Sequence, residues 1–180
     1  MRLADDEQVW AALAPDALAG RTALVTGGGS GIGRSVTRLL AYLGVSVAVV
    51  GRRAEQLAGT AAAVAEADGP PVVALVCDLR EPEQVDAMLD RVDAELGDVD
   101  FLVNNAGGQF IAPAESVSMN GFRAVTRLNL DAVWYLTTSV ARRFMLPAGR
   151  GKVVSITNRS ARGGSASTAV SDSPSLKSPV

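Results

Sequence analysis

The sequence predicts an α/β fold, a doubly wound parallel sheet covered by helices. Three observations predict it: short β-branched runs alternate with longer stretches of helical periodicity, glycines and prolines punctuate the changes, and 180 residues at 48% hydrophobic content can bury one core. Taken in order, a polar leader is expected to be helical from Gln8 to Leu18, within an N-terminal extension of residues 1–20. Thr22–Val25 reads as a first strand, closed by a glycine-rich loop from Thr26 to Gly31. Ile32, Val36, Leu39, Leu40 and Leu43 then recur at helical spacing, which lays one apolar stripe on the sheet until Gly44. Val45–Val50 is a second strand, Glu55–Ala67 an alanine-rich helix, and Val72–Val76 a third strand stopped at Cys77-Asp78. Val85, Met88, Leu89, Val92 and Leu96 mark a helix ended by Gly97, before a fourth strand at Phe101–Val103. A long helix is expected over Ser118–Phe144, stopped by Pro147, and a fifth strand at Lys152–Ile156. Residues 165–180 hold six serines, two prolines and no aromatic residue, too little apolar surface to offset the entropy of ordering, so a disordered tail is expected there.

Charge and composition exclude several classes of function. With 17 basic and 19 acidic residues spread along the chain, a net charge of −2 presents no basic face for nucleic acid. The single Cys77 cannot form an internal disulfide or a thiolate cluster, and there is no histidine, so zinc is not expected and a reducing compartment is. Acids at Asp5 and Asp6 stand where a secretory signal needs positive charge, and no apolar run approaches a membrane span. The expectation is a cytoplasmic protein acting on a small molecule.

The strongest motif is Thr26-Gly27-Gly28-Gly29-Ser30-Gly31-Ile32-Gly33, set between an apolar strand and an amphipathic helix. A diphosphate needs main-chain N–H donors at a helix N-terminus, and side chains would hold it off. Gly27 would permit the turn, Gly31 close approach and Gly33 tight contact of helix on strand. No lysine follows the last glycine, which excludes a P-loop, so the context indicates a Rossmann dinucleotide site. The end of the second strand reads Gly51-Arg52-Arg53, with no carboxylate before Glu55. An acid there would bind a ribose 2′-hydroxyl, whereas two guanidiniums suit a 2′-phosphate, so NADP(H) is favoured over NAD(H) unless both arginines merely face water. Asp78 falls at the carboxyl edge of the sheet, where it either reaches the adenine or caps the next turn. Asn104-Asn105-Ala106-Gly107 occupies the same edge after the fourth strand, small enough for the backbone to approach a cofactor, although turn chemistry also selects Asn and Gly. In the long helix, Asn129 lies on the stripe of Phe122, Val125, Val133, Leu136 and Val140. A buried amide must be paired, so Asn129 either bonds backbone or water near the site or rotates to solvent.

Together, Thr26-Gly27, Gly31-Ile32-Gly33, Asp78-Leu79, Asn104-Asn105-Ala106-Gly107 and Asn129-Leu130 resemble the short-chain dehydrogenase/reductases, over about Arg21 to Ile156. The resemblance implies strand order 3-2-1-4-5, an NAD(P)-binding domain over residues 21–164, and coenzyme contacts from Gly27, Gly29, Ser30, Gly31, Ile32, Gly33, Arg52, Arg53, Asp78, Leu79, Asn105, Ala106 and Gly107. It assigns Asn129 to the catalytic Asn position, holding a water, and Asn158 to the position of the family Ser, where an amide still donates to an oxyanion. Asn104 matches the residue that braces the central strands. The stretch Asn104–Phe110 with Pro113-Ala114-Glu115 is similar to the trans-2-enoyl-CoA and dienoyl-CoA reductase branch. That similarity implies hydride transfer to an acyl-CoA thioester, with a carbonyl or alcohol substrate as the ordinary alternative in the family. Where the family has Tyr and Lys, this sequence has Ser171 and Ser175, and the resemblance ends after the fifth strand. The expectation is a domain truncated there, whose full-length form reduces such substrates and assembles as a homo-oligomer through helix 118–144. The competing expectation is a catalytically inactive dinucleotide-binding fragment or partner subunit.

Overall fold

The computed structural model of the chain describes residues 13–110 and 112–157. Strands β1 (Thr22–Thr26), β2 (Ser46–Gly51), β3 (Val72–Val76), β4 (Phe101–Asn104) and β5 (Lys152–Ser155) form one parallel sheet in the order β3-β2-β1-β4-β5. This is the order the resemblance implied. Helices α1 (Gly31–Tyr42), α2 (Ala54–Ala65) and α3 (Pro82–Leu96) make the first three returns. The return from β4 to β5 runs through a 3-10 turn at Ala114–Ser116 and then α4 (Met119–Thr126), α5 (Ala132–Val140) and α6 (Leu146–Ala148). These last three segments are joined end to end by π-helical turns at Arg127–Asp131 and Ala141–Met145.

Side chains alternate across the strands, so each strand feeds two cores. Leu24, Ala48, Val50, Leu75 and Leu102 face α3 and the long helical return, whose Val85, Met88, Leu89, Val92, Leu136, Val140 and Phe144 complete that side. Ala23, Val25, Val47, Val49 and Val103 point the other way, onto Leu57 of α2 with Val36 and Leu40 of α1. A sheet covered on both faces needs the near-continuous apolar runs that the sequence shows in β1 and β2. The N-terminal ends of β1, β4 and β5 are tied by Asp100. Its carboxylate accepts hydrogen bonds from Arg150 Nε at 2.7 Å and from Arg21 Nη1 and the Thr22 amide at 3.1 Å each. Burial pushes this carboxyl up, but the bonds from Arg150 and Thr22 and the two guanidinium charges outweigh it and hold it below the ordinary range.

Several expectations need correction. The leader helix over Gln8–Leu18 falls partly outside the described residues; its described part, from Leu13, is a series of tight turns. Asp16 sits there in the left-handed region at φ 57°, which a right-handed helix cannot accommodate. The long helix does not end before Pro147, which lies inside α6, and the chain turns out of the helix at Gly149. Proline lacks an N–H and crowds the carbonyl four residues back, and the wide π turn just before α6 supplies the room. The core-facing stripe of this helix also differs: it runs from partly buried Leu128 through buried Ala132, Leu136, Val140 and Phe144, and Asn129 is exposed beside it. A π turn holds more than four residues, so two such turns carry the stripe at steps of four where an ideal helix would step by three and four. The tail beyond residue 157, with Asn158, lies outside the described residues.

Candidate functional site: a cleft at the carboxyl edge of the sheet

The loops after β1, β2, β3 and β4 meet at one edge and enclose a cleft of about 290 Å³. Gly27, Gly29, Ser30, Arg52, Arg53, Asp78, Leu79, Asn105, Ala106 and Gly107 all line it, so most of the residues named from sequence come together here. Gly31, Ile32 and Gly33 form the first turn of α1 beside the cleft. Gly51, Gln56, Leu57, Cys77, Arg80 and Leu128 line it as well, although the sequence did not assign them to the site.

Backbone constraints explain the glycine spacing. Gly27 turns the chain out of β1 at φ 65°, and a side-chain carbon there would lie 2.8 Å from Asn105 Nδ2. At Gly33 an added carbon would meet Asn105 Nδ2 at 2.5 Å and the Gly27 carbonyl closer still. Gly31, at φ 51°, has nothing within 4 Å of that position, which leaves open space over the start of α1. No acid occupies the first turn of α1 and Ser30 makes no side-chain cap, so its leading amides and the positive end of its dipole are available to an anion. The loop is fixed from two sides. Thr60 Oγ1 of α2 donates to the Gly28 carbonyl at 2.9 Å, and Asn105 Nδ2 donates to the Thr26 carbonyl at 2.9 Å and the Gly27 carbonyl at 3.3 Å. Thr26 Oγ1 accepts from the amides of Asn105 at 3.0 Å and Ala106 at 2.9 Å and donates to the Val103 carbonyl at 3.3 Å. Thr26 thus locks the loop after β4 onto β1, a role that a hydroxyl inside an apolar run could have signalled.

Electrostatics differ around the rim. Arg52 and Arg53 are exposed at the end of β2, and neither is in a salt bridge among the described residues. Asp78 is engaged by its own turn: Arg80 donates through its amide at 3.1 Å, through Nε at 2.9 Å and through Nη2. That side-chain bond holds the Asp78 carboxyl down at about 2 against the opposing effect of burial. Of the two readings of Asp78, the turn cap is therefore present in the structure. Burial and the Asp78 charge push the Cys77 thiol up to about 11, so it is an inert lining group. Asn104 braces β4 against the long helix through Nδ2 to Thr137 Oγ1 at 2.9 Å. Asn129 is exposed yet bonded through both its oxygen and its nitrogen to one peptide unit. Its Nδ2 donates to the Gly108 carbonyl at 2.8 Å and its Oδ1 accepts from the Gly108 amide at 3.0 Å.

A model of the short chain dehydrogenases matches residues 21–170, a span that holds the whole sheet and every lip of this cleft. The chain belongs to the short-chain dehydrogenase family. Members of this family bind a nicotinamide dinucleotide. Among curated proteins, a probable 2,4-dienoyl-CoA reductase of Caenorhabditis elegans is 37% identical over 82% of this chain and 48% of its own length. Among solved structures, a citronellol catabolism dehydrogenase of Pseudomonas aeruginosa superposes with a TM-score of 0.74 at 40% identity, covering 79% of this chain and 58% of that one. A variant actinorhodin polyketide ketoreductase, solved with NADPH, gives a TM-score of 0.72 at 33% identity over 75% of this chain and 52% of that one. The chain spans about half the length of the curated relatives it matches. Among the described residues, no helix is long and apolar enough to cross a membrane.

Proposed function

We propose that this chain supplies the coenzyme-binding half of an NADP(H)-dependent oxidoreductase that moves hydride between nicotinamide and an enoyl-CoA thioester, or a carbonyl or alcohol. The carrying observation is the pair Arg52 and Arg53 on the rim of the cleft, with no carboxylate at the end of β2. Guanidiniums favour a 2′-phosphate that an acid would repel. The open space over Gly31 fits a diphosphate, held by the amides that begin α1. Arg52 and Arg53 would hold the 2′-phosphate, Asp78 and Leu79 would flank the adenine, and Asn105, Ala106 and Gly107 would face the nicotinamide side. When bound, the coenzyme supplies the hydride. Asn129 orients the loop after β4 through Gly108, and Asn158 would donate to an oxygen that gains charge. The dienoyl-CoA reductase and ketoreductase relatives support the two substrate classes. A reducing compartment, the cytoplasm, fits the cysteine usage. A homo-oligomer would form through the long helix, where Leu130 and Trp134 are each 64% exposed.

Titration of the purified chain with NADPH and NADH tests the coenzyme reading: tighter uptake of NADPH is expected. Equal affinity would remove the NADP preference, and no uptake of either at millimolar concentration would remove the reading altogether. Ser171 and Ser175, at the positions the family resemblance gives to Tyr and Lys, favour a second reading, a dinucleotide-binding partner without turnover. NADPH with crotonyl-CoA or a simple ketone separates the two. Oxidation of NADPH supports catalysis, and a raised Tm without oxidation supports the binding partner.

A further inference from the structure

Three segments distant in sequence meet at one side of the cleft: Asp78–Glu81 after β3, Asn105–Gly108 after β4, and the π turn Arg127–Asp131. The π turn touches both of the others. On one side Asn129 holds both polar groups of Gly108. On the other, Arg127 Nη2 donates to the Arg80 carbonyl at 3.2 Å and to Glu81 Oε1 at 3.2 Å. Between them Leu128 lines the cleft and packs on the core. Arg80, whose carbonyl Arg127 holds, is itself clamped to Asp78.

A π turn is less stable than an α turn and needs a tertiary reason to persist. Downstream, the helix is fixed by Ala132, Leu136 and Val140 in the core. If the π turn relaxed to α-helical winding, everything before it would rotate by about one residue, or about 100°. Leu128 would then leave the cleft and Asn129 would lose Gly108. The bonds of Arg127 oppose that rotation at the upstream end of the turn.

We propose that Arg127 is a positioning residue: by anchoring the π turn to Arg80 and Glu81 it seats Leu128 in the cleft and aims Asn129 at Gly108, which sets the spacing of the β3 and β4 lips. The Arg127 and Glu81 side chains are 53% and 45% exposed, so their bond adds little to global stability and its effect is local. The consequence for coenzyme affinity rests on the function proposed above, but the geometric consequence does not.

Amide hydrogen exchange on the full chain reads that geometry without any ligand. In Arg127→Ala the Gly108 amide is expected to exchange about threefold to fivefold faster, the range a partly exposed pair supports, while the amides of Leu24 and Val25 in β1 stay as slow as before. Arg127→Lys, which keeps a donor and the charge, should recover most of the protection, and Glu81→Gln should fall between. NADPH affinity should weaken by a similar factor in Arg127→Ala and return in Arg127→Lys. Unchanged exchange at Gly108 would overturn the proposal, as would acceleration spread equally over β1, which means general loosening. If the unaltered chain takes up no NADPH, the function proposed above fails, and the exchange at Gly108 still judges Arg127.

Discussion

Asp78 shows how one side chain on the rim of the cleft is tuned by a neighbour two residues away. Arg80 holds its carboxyl at about 2, against about 4 for an ordinary aspartate. The folded state therefore binds its proton less readily than the unfolded state, so the pair stabilises the fold fully above about pH 4. That contribution fades as pH falls toward 2. With the Arg80 and Asp78 side chains 34% and 20% exposed, screening reduces the effect to about 1 kcal/mol. Asp78→Asn should cost about that much in urea melts at pH 7, and the gap from the unaltered chain should close near the acid limit. A gap that stays constant down the pH series would mean the carboxylate charge contributes nothing. Single residues of this kind were partly legible in the sequence. Gly27 and Gly33 could be read because sterics alone demand glycine there. Leu128 could not, because it packs on neighbours that only the fold brings near.

The same division holds for whole elements. Strands and the first three helices were legible because buried runs and single apolar stripes need only local periodicity. The long return between β4 and β5 was read as one ideal helix, and its two π turns displaced the expected stripe so that Leu128, not Asn129, points into the core. Nothing in the local composition announces a π turn; it persists through contacts such as Arg127 on Arg80 and Asn129 on Gly108. Two positions on this return separate its two faces. Leu136 is 1% exposed, and Leu136→Ala should cost about 2–5 kcal/mol through the lost burial and the cavity left behind. Trp134 is 64% exposed, so Trp134→Glu should leave the denaturation midpoint nearly unchanged but weaken self-association in sedimentation experiments if this face joins two copies. A Trp134→Glu chain with unaltered sedimentation at every concentration would place the oligomer interface elsewhere.

Among the described residues, the sheet is buried at its centre and exposed at both of its outer strands, β3 and β5. Its centre, β1 and β2, holds Leu24, Val25, Val47 and Val49 at 0% exposure because helices cover both faces. At β5 and the residue just after it, the same type of side chain is partly in water: Val153 is 42% exposed, Val154 54% and Ile156 37%. Strand order was legible from the family resemblance, whereas the exposure of β5 was not. Among the described residues β5 pairs on one side only, and an outer strand with half-exposed β-branched side chains is a template for further strands. The β5 edge should contribute to aggregation, independently of the helix face around Trp134. Val154 is more than half exposed, so Val154→Lys should change folding stability by about 0.5 kcal/mol. A charge on that strand should nevertheless raise the concentration at which light scattering first reports aggregates, because a lysine buried between added strands has no partner. Should the lysine variant aggregate at the same concentration as the unaltered chain, association must proceed through another surface, and the Trp134→Glu chain would identify whether the helix face is that surface.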